Sequence, residues 1–504
     1  MSPFVVKLCD IKQCSIKSCL LLSFYLILLI CGGCQQTKVT FTQVQSPVTP
    51  SFTPLINAPK VESSSDSSQA EPHFAPQVSV LDPFHLLHIV PGRLSTLNRI
   101  HLVAISPNQP YQDADILAKA FTEKGLWLAN KPSAKTPLNC IESFKPQVNL
   151  HSITLTLACP DNQLETALSL LIDTWSADSF NDLDIAKLRR QLALDKHINA
   201  FNGNEIEKLW AEKILGKNHP YNSALNNEAQ QKTLTHKSLE QLAYQAAIQS
   251  QWHLIIERDT PIEPQQKTVI AAQMKRLPVP SNFSKPKQDN FKPYGKTLYV
   301  IDAPGSVQTQ VRLGYHLPLQ AYNSDSGQID NTFSCELLSR WLGRSFSGRL
   351  YYDLRERRGL TYGIYGRCFD NPMATILKYY GSTQLQHTGA FIKGILDHLQ
   401  LAQTELAEDD EVNALVDYYQ NQFNLMFDDP AQRTARYIQL LSKQQDWQAI
   451  VNQQAQWQRL NSLTLQQAAQ QVFHAPPVMV IRGDLDKIKP DLQDKLPDWQ
   501  IITP

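Results

Sequence analysis

The sequence is poor in charge and has no excess of either sign. Lys and Arg together number 47, as do Asp and Glu, and the four types make up 19% of the 504 residues. Without a basic excess or a long Lys/Arg run, the chain has no source for the counterion release that drives nucleic-acid binding, and that class of partner is excluded. Glycine, at 19 residues, is too rare for a collagen-like chain, and 42% of apolar residues excludes a wholly disordered one.

One strongly apolar stretch lies near the N-terminus, at residues 19–31 (CLLLSFYLILLIC). Its 13 residues fall short of the about 20 that a membrane-spanning helix needs, and the lysines before it and glycines after it are typical of a secretory signal. The sequence ICGGC resembles a bacterial lipobox, which implies cleavage after residue 33 and acylation of Cys34. Gln35 stands where an inner-membrane lipoprotein would carry Asp, so the resemblance implies a lipid-anchored outer-membrane protein on the periplasmic side of a bacterial cell envelope. Ordinary secretion and an uncleaved anchor are the alternatives.

Cysteine pairs with the spacing of metal or redox sites are lacking. Four of the nine cysteines lie in the signal segment, and Cys34 is assigned to the lipid. The other four contain no C-x-x-C pair, so nothing supports a zinc ribbon or a thioredoxin-like site; they are Cys140, Cys159, Cys335 and Cys368. An oxidising compartment allows up to two disulfides, but we expect buried free thiols.

Two stretches rich in proline and polar residues divide the chain. Residues 34–78 are rich in Ser, Thr, Pro and Gln and predict a flexible tether, because such a composition buries too little apolar surface to fold. Residues 261–294 carry six prolines and predict a linker. The predicted domains are therefore residues 79–260 and 295–504, each of ordinary domain size.

The two predicted domains follow one plan. An alternating strand over 151–159 leads into a helix with apolar residues at helical spacing, and a strand over 374–380 leads into a similar helix about 225 residues later. Each domain closes with a helix begun by Leu-Thr and an apolar strand that ends in Asp, at 234–259 and 463–484. These constant offsets predict an internal duplication. The fold class is α+β: two homologous domains, each a mostly antiparallel sheet with helices packed on one face.

One segment of the second domain carries a specific motif. It reads FSCELLSRWLGRSFSGRLYYDLRERRGLTYGIYGRC, from 333 to 368, with Ser347–Leu350 followed by Leu354–Tyr362. This pattern resembles the C-terminal domain of the insulinase/pitrilysin-type zinc peptidases in their two-domain bacterial form, which is similar to the subunits of mitochondrial processing peptidase. The resemblance extends over about residues 80–490 and implies a clamshell of two domains.

Within that motif, Arg355 and Tyr362 are the candidate site residues. A helix that ends at 357 or 358, Gly359 as its left-handed cap and a strand through Tyr362 would let both side chains point into one cavity. The resemblance implies that this pair faces the zinc site, holds a peptide carbonyl and steadies the oxyanion. The alternative is structural: Arg355 pairs with Glu356 or another carboxylate, and Tyr362 packs in the sheet.

The zinc-binding motif of that family is missing from the sequence. The family's metal helix carries H-x-x-E-H, but no two of the 13 histidines are four residues apart, and the corresponding helix, 113–124, contains no histidine. Asp195 stands where the family has a third-ligand Glu. His85 and His88 have Leu86 and Leu87 between them and no carboxylate base there, and they predict ordinary imidazoles. We therefore expect no metal in this chain.

Two classes of function remain. In the first, the chain is a catalytically incomplete subunit that supplies Arg355 and Tyr362 to a separate, zinc-bearing homologue for peptide cleavage; the family includes such split pairs, and zinc is then expected only in the partner. In the second, it is a non-catalytic scaffold or peptide-binding lipoprotein of the envelope. Retention of the Arg/Tyr pair without metal ligands favours the first. A self-sufficient peptidase with an unorthodox metal site is the least favoured reading.

Overall fold

The strands form two six-stranded sheets in the computed structural model, which describes residues 74–92, 97–129, 140, 144, 146–175, 180–200, 204–224, 233–279, 295–318 and 330–504. The signal segment, Cys34 and most of the tether lie outside these residues. The strands are β1 (Gln77–Asp82), β2 (His85–Val90), β3 (Leu97–Ile105), β4 (Gln147–Val148), β5 (Ser152–Pro160), β6 (Gln251–Glu257), β7 (Thr297–Asp302), β8 (Gln308–Leu317), β9 (Thr361–Asn371), β10 (Ala374–Gln384), β11 (Val478–Gly483) and β12 (Gln500–Ile502).

Helices connect and cover the strands. Those of the first half are α1 (Ala114–Ala129), α2 (Leu164–Asp173), α3 (Ile185–Ala200), α4 (Asn204–Leu215), α5 (Pro220–Ala224), α6 (His236–Ile248) and α7 (Pro264–Met274). Those of the second half are α8 (Asn331–Gly343), α9 (Arg349–Tyr351), which continues as a π-helical turn (Tyr352–Arg357), α10 (Thr388–Thr404), α11 (Asp409–Asp428), α12 (Pro430–Ser442), α13 (Gln448–Gln458), α14 (Ser462–Val472) and α15 (Leu485–Lys495). Among the described helices, none combines the length and the apolar character needed to cross a bilayer.

The two sheets share one topology, which confirms the predicted pair of homologous α+β domains. The first has the order β1-β2-β6-β3-β5-β4 and the second β12-β7-β11-β8-β10-β9. Strands β2 to β6 of the first sheet are equivalent, in chain order, to strands β7 to β11 of the second. In each set the first strand pairs in parallel with the last, and the remaining pairs are antiparallel. Only the outermost strand differs, because β1 is antiparallel to β2 whereas β12 is parallel to β7.

The helices of each half begin where polar caps satisfy their first backbone N–H groups. The Thr235 side chain accepts from the Ser238 N–H and forms a capping box at the start of α6, as the Leu-Thr start predicts. In its counterpart α14 the N-cap residue is Asn461, which precedes the Leu-Thr pair, and its side chain accepts from the Thr464 N–H. Behind these helices, each sheet has its own core of buried aliphatic and aromatic side chains.

Each half also covers the second face of the other half's sheet. From the first half, α4 places Ile206 and Trp210 against Ile376 of β10. From the second half, α12 places Tyr437 and Ile438 against the first sheet. Each sheet therefore has the predicted layer of helices on one face. Its other face is covered by one helix that belongs to the other half.

The four cysteines that follow Cys34 are all paired, so the expectation of buried free thiols is wrong. Cys140 is bonded to Cys159 at the end of β5. Cys335 of α8 is bonded to Cys368 of β9. The sequence gives no C-x-x-C signal for these bonds because each joins residues brought together only by the fold.

Part of the predicted linker is helical. Residues 264–274 form α7, which begins with Pro264 at its first turn, where the missing proline N–H costs nothing. Its Ile270 and Met274 side chains are fully buried in the core of the first half. This portion of the proline-rich stretch is thus packed structure.

Candidate functional site

The segment that carries Arg355 is a π-helical turn between α9 and β9. The Arg358 N–H donates to the Asp353 carbonyl, five residues back. Single π-helical turns inside α-helices are frequent at functional sites. The buried Asp353 carboxylate anchors the turn by accepting from His398 at 2.9 Å and from Arg358 at 2.8 Å. Burial by itself would raise the pKa of Asp353, but these hydrogen bonds overcome it and hold the pKa below its usual range.

The turn ends as the sequence predicts. Gly359 has a φ of 63°, the left-handed conformation that glycine adopts without strain, and β9 begins two residues later. The Leu360 N–H donates to the Leu354 carbonyl and closes the turn. The chain is thereby redirected from helix to strand between Arg355 and Tyr362.

Arg355 and Tyr362 both reach the surface. The Tyr362 side chain is 74% exposed, so it does not pack in the sheet. The Arg355 guanidinium lies over the Tyr351 ring at 4.7 Å, and its Nε is 3.6 Å from Glu356 Oε1. Arg355 therefore makes the carboxylate contact that the structural alternative predicts, with Glu356 and partly exposed. Tyr362 does not pack in the way that this alternative predicts.

The helices expected to share a metal ion are joined by an ion pair. Lys119 of α1 lies 2.6 Å from Asp195 of α3, the residue at the expected third-ligand position. The family's zinc geometry would bring these helices together around a cation, and here a lysine supplies the positive charge. Groups of three or more His, Cys, Asp or Glu side chains able to hold a metal do not occur among the described residues.

His85 and His88 have ordinary partners. His85 Nδ1 lies 2.8 Å from Asp82. His88 Nδ1 is 3.0 Å from the Tyr437 hydroxyl, and its Nε2 is 2.9 Å from Nδ1 of His253. Burial lowers the pKa of His88 to about 4 and that of His253 well below its usual value, so both rings are neutral near pH 7.

Two cavities border β9, one at its C-terminal end and one near its middle. One, of about 860 Å³, is lined from both halves, by His253 of the first and by Asp370 and Lys443 of the second, which form an ion pair. The other, of about 550 Å³, lies beside the C-terminal end of α8 and is lined by Arg340, Arg344, Tyr365, Gly366, Tyr380 and Tyr418, among others. Neither Arg355 nor Tyr362 is among the lining residues of either cavity.

Sequence reasoning missed the smaller cavity. The two arginines stand in the quoted motif, at RWLGR, but their spacing of four residues reads as an ordinary helical face. The tyrosines come from β9, β10 and α11, which are far apart in sequence. Two arginines one helical turn apart, Arg340 and Arg344, were the available signal.

The duplicated sheets and the segment from Arg355 to Tyr362 define a protein with the two-domain fold of the M16 peptidases. Residues 261–419, about a third of the chain, match the family model described as the peptidase M16 inactive domain. The predicted resemblance to the insulinase-type peptidases is thus confirmed. The description as an inactive domain supports a catalytically inactive homologue and fits a chain without catalytic zinc.

Solved structures share this fold at low identity. A peptidase M16 inactive domain from Pseudomonas fluorescens gives a TM-score of 0.64 at 16% identity, over 81% of this chain and 98% of the other. A protease from Helicobacter pylori gives 0.63 at 13%, over 81% and 99%. The periplasmic protease PqqL from Escherichia coli gives 0.61 at 13%, over 85% of this chain and 51% of PqqL. No curated protein sequence matches the chain.

Proposed function

We propose that the protein is a catalytically incomplete M16 subunit that holds peptides and lends Arg355 and Tyr362 to a zinc-bearing homologous partner. The observation that carries the proposal is the contrast between two places in the fold. At the expected position of the metal, Lys119 and Asp195 form an ion pair with each other. Where a substrate would be gripped, an arginine and a 74% exposed tyrosine remain at the surface.

The exposed pair suits a reacting carbonyl that another chain supplies. A guanidinium offers a fixed fork of donors, and a phenol hydroxyl donates one more hydrogen bond to developing negative charge. Arg355 rests on the Tyr351 ring, which limits its rotamers, and the π-helical turn below it is fastened by the buried Asp353. A scaffold that never contacts substrate has no evident use for a pair held in this way.

The proposed location is the periplasmic face of the outer membrane. It rests on the lipobox-like sequence before Cys34 and on the periplasmic protease PqqL among the structural relatives. Acyl labelling of the wild-type chain and of Cys34→Ser tests the anchor. Label on the wild type alone is the expected result, and a labelled variant would rule out acylation at Cys34.

The split-enzyme proposal is tested by co-purification with a homologue that carries H-x-x-E-H, followed by a peptide-cleavage assay. Arg355→Ala and Tyr362→Phe are expected to slow turnover by about 10²-fold or more, as the loss of an oxyanion donor does, while the complex stays intact. The control is Tyr352→Phe, an exposed tyrosine of the same turn. Unchanged turnover in both site variants would favour the alternative, a non-catalytic envelope scaffold or peptide-binding lipoprotein.

A further inference from the structure

The 860 Å³ cavity lies far from Arg355 and Tyr362. Its walls come from β2 and β6 of the first half and from the end of β9, α8, α12 and α13 of the second. Strand β9 begins beside Tyr362 and ends at Asn371, which lines the cavity. At about 3.3 Å per residue, the two ends of this strand are roughly 30 Å apart. A ligand of this cavity would therefore bind apart from the exposed pair.

Side-chain amides make up much of the polar lining. Nine of the lining residues are Asn or Gln. Three of them come from three different walls: Gln251 from β6, Asn371 from the end of β9 and Gln444 from the loop after α12. Their side-chain amides make no hydrogen bond to another described residue, and each can both donate and accept. The cavity therefore offers uncommitted neutral hydrogen-bonding groups on several sides.

The charged lining residues do not favour an anion. Three carboxylates line the cavity against two basic side chains, which leaves an excess of one negative charge. The Asp370 carboxylate is already paired with Lys443. The Arg436 guanidinium donates to the amide oxygens of Gln439 at 3.1 Å and of Gln453 at 2.7 Å. The ligand that suits this lining is polar and carries no negative charge.

Apolar side chains complete the lining. Leu86 of β2, Pro372 after β9 and Leu441 of α12 contribute to it, and each is only partly buried. A sugar ring presents C–H groups on its faces and hydroxyl groups around its edge, so it can contact apolar side chains and amides together. The volume of the cavity lies within the range of about 300–1,000 Å³ that is usual for small-ligand sites.

Gln444 occupies a backbone position that favours glycine. It follows α12 with a φ of 59°, in the left-handed region. The Gln444 N–H donates to the Leu441 carbonyl and the Gln445 N–H to the Leu440 carbonyl, both at 3.0 Å, and this is the Schellman motif that glycine usually completes. A Gln here costs free energy that a Gly would not, and its exposed side chain lines the cavity. Strain of this kind often occurs at binding sites.

We propose that this cavity binds a neutral saccharide. The amides of Gln251, Asn371 and Gln444 exchange hydrogen bonds with its hydroxyl groups, and Leu86 and Leu441 contact a ring face. A hydroxyl group both donates and accepts, as an amide does, which is why uncommitted amides suit it better than charged groups. Both halves of the chain contribute to the site. The inference takes nothing from the proposed function, so either one can fail without the other.

The test is saturation-transfer difference NMR on the isolated full chain, titrated with four trisaccharides one at a time. Maltotriose, cellotriose and triacetylchitotriose are neutral, and trigalacturonate is anionic. At least one neutral sugar is expected to give a saturable signal, and trigalacturonate none, because the lining has an excess of negative charge. Absence of saturable binding by all three neutral sugars would overturn the proposal, as would trigalacturonate binding as tightly as the best of them.

Three variants locate the site. Gln251→Ala, Asn371→Ala and Gln444→Gly are each expected to weaken binding of the neutral sugar roughly fivefold, the net effect of losing one hydrogen bond. Gln444→Gly also removes the backbone strain, so its melting temperature should equal or exceed that of the wild type, and its loss of affinity then does not come from unfolding. Gln467→Ala, which replaces an exposed Gln of α14 outside the lining, should retain wild-type affinity. Wild-type affinity in all three site variants would show that the sugar binds elsewhere and would overturn the assignment.

Discussion

Lys119 and Asp195 lie 2.6 Å apart and join α1 to α3, the two helices on which the sequence resemblance leads us to expect metal ligands in a zinc peptidase. A second ion pair, between Lys187 and Glu123 with the opposite polarity, joins the same two helices at 2.7 Å. The contact between these helices therefore needs no cation from solution.

The first prediction concerns metal content. Elemental analysis of the isolated chain is expected to find no stoichiometric zinc, and Lys119→Ala is expected to leave that result unchanged because Asp195 alone is one ligand where three are needed. The loss of stability should stay within about 1 kcal/mol, since both side chains are partly exposed, and Lys187→Ala is the matched control. One equivalent of zinc in either protein would contradict the prediction.

The second prediction concerns the contact between the halves. Glu207 of α4 accepts from Arg312 at 2.6 Å and from Lys378, whose side chains are only 10% and 6% exposed. Burial by itself would raise the pKa of Glu207, but Lys378 and Arg312 overcome it and lower the pKa. Glu207→Gln should reduce the free energy of unfolding by about 2 kcal/mol, less than for a fully buried pair because Glu207 is 40% exposed.

The matched control lies two residues earlier on the same helix. Glu205 pairs with Arg482 at 3.3 Å, and both side chains are exposed. Glu205→Gln should cost about 0.5 kcal/mol or less in urea unfolding at pH 7. Equal costs for the two variants would show that burial of Lys378 and Arg312 does not set the energy of this contact.

The third prediction is a loss of stability in mild acid. The folded pKa of His88 is about 4 against 6.5 when unfolded, so the unfolded chain binds more protons between these values. Stability is therefore fully present above about pH 6.5 and falls as the pH drops towards 4, by about 3 kcal/mol for His88 alone. His253 acts in the same direction, because burial also lowers its pKa.

Melting temperatures at pH 7 and pH 5 measure this effect. Wild type should lose stability between them, and His88→Gln should lose less. The exposed His474 is the control, because its replacement by Gln should retain the wild-type dependence. An identical pH dependence in wild type and His88→Gln would contradict the assignment.

The fourth prediction concerns the disulfides. Alkylation without reduction should label none of the four cysteines that follow Cys34, as read by peptide mapping. Replacing both Cys335 and Cys368 by Ala should lower the free energy of unfolding by roughly 4 kcal/mol, from the entropy of the 33-residue separation. The 19-residue Cys140–Cys159 pair should cost slightly less, roughly 3 kcal/mol. Labelled thiols would show that the bonds do not form.

Local pattern was sufficient for the duplicated architecture and for the turn that carries Arg355. Apolar alternation, helical spacing and a glycine before a strand are properties of neighbouring residues, and the Gly359 conformation and the start of β9 agree with them. The exchange of α4 and α12 between the halves was not predictable in this way, because a helix pattern shows which face is apolar and not which sheet covers it.

By itself, the sequence determined the class of protein: it holds the Arg355–Tyr362 motif and lacks the histidine spacing of a zinc helix, and both follow from residue identity and order. The tertiary structure alone decided that Lys119 meets Asp195, that the cysteines pair and that Arg340 and Arg344 share a cavity with three tyrosines. Each of these relations joins residues that the chain separates and that only packing of the sheets and helices brings within a few ångströms.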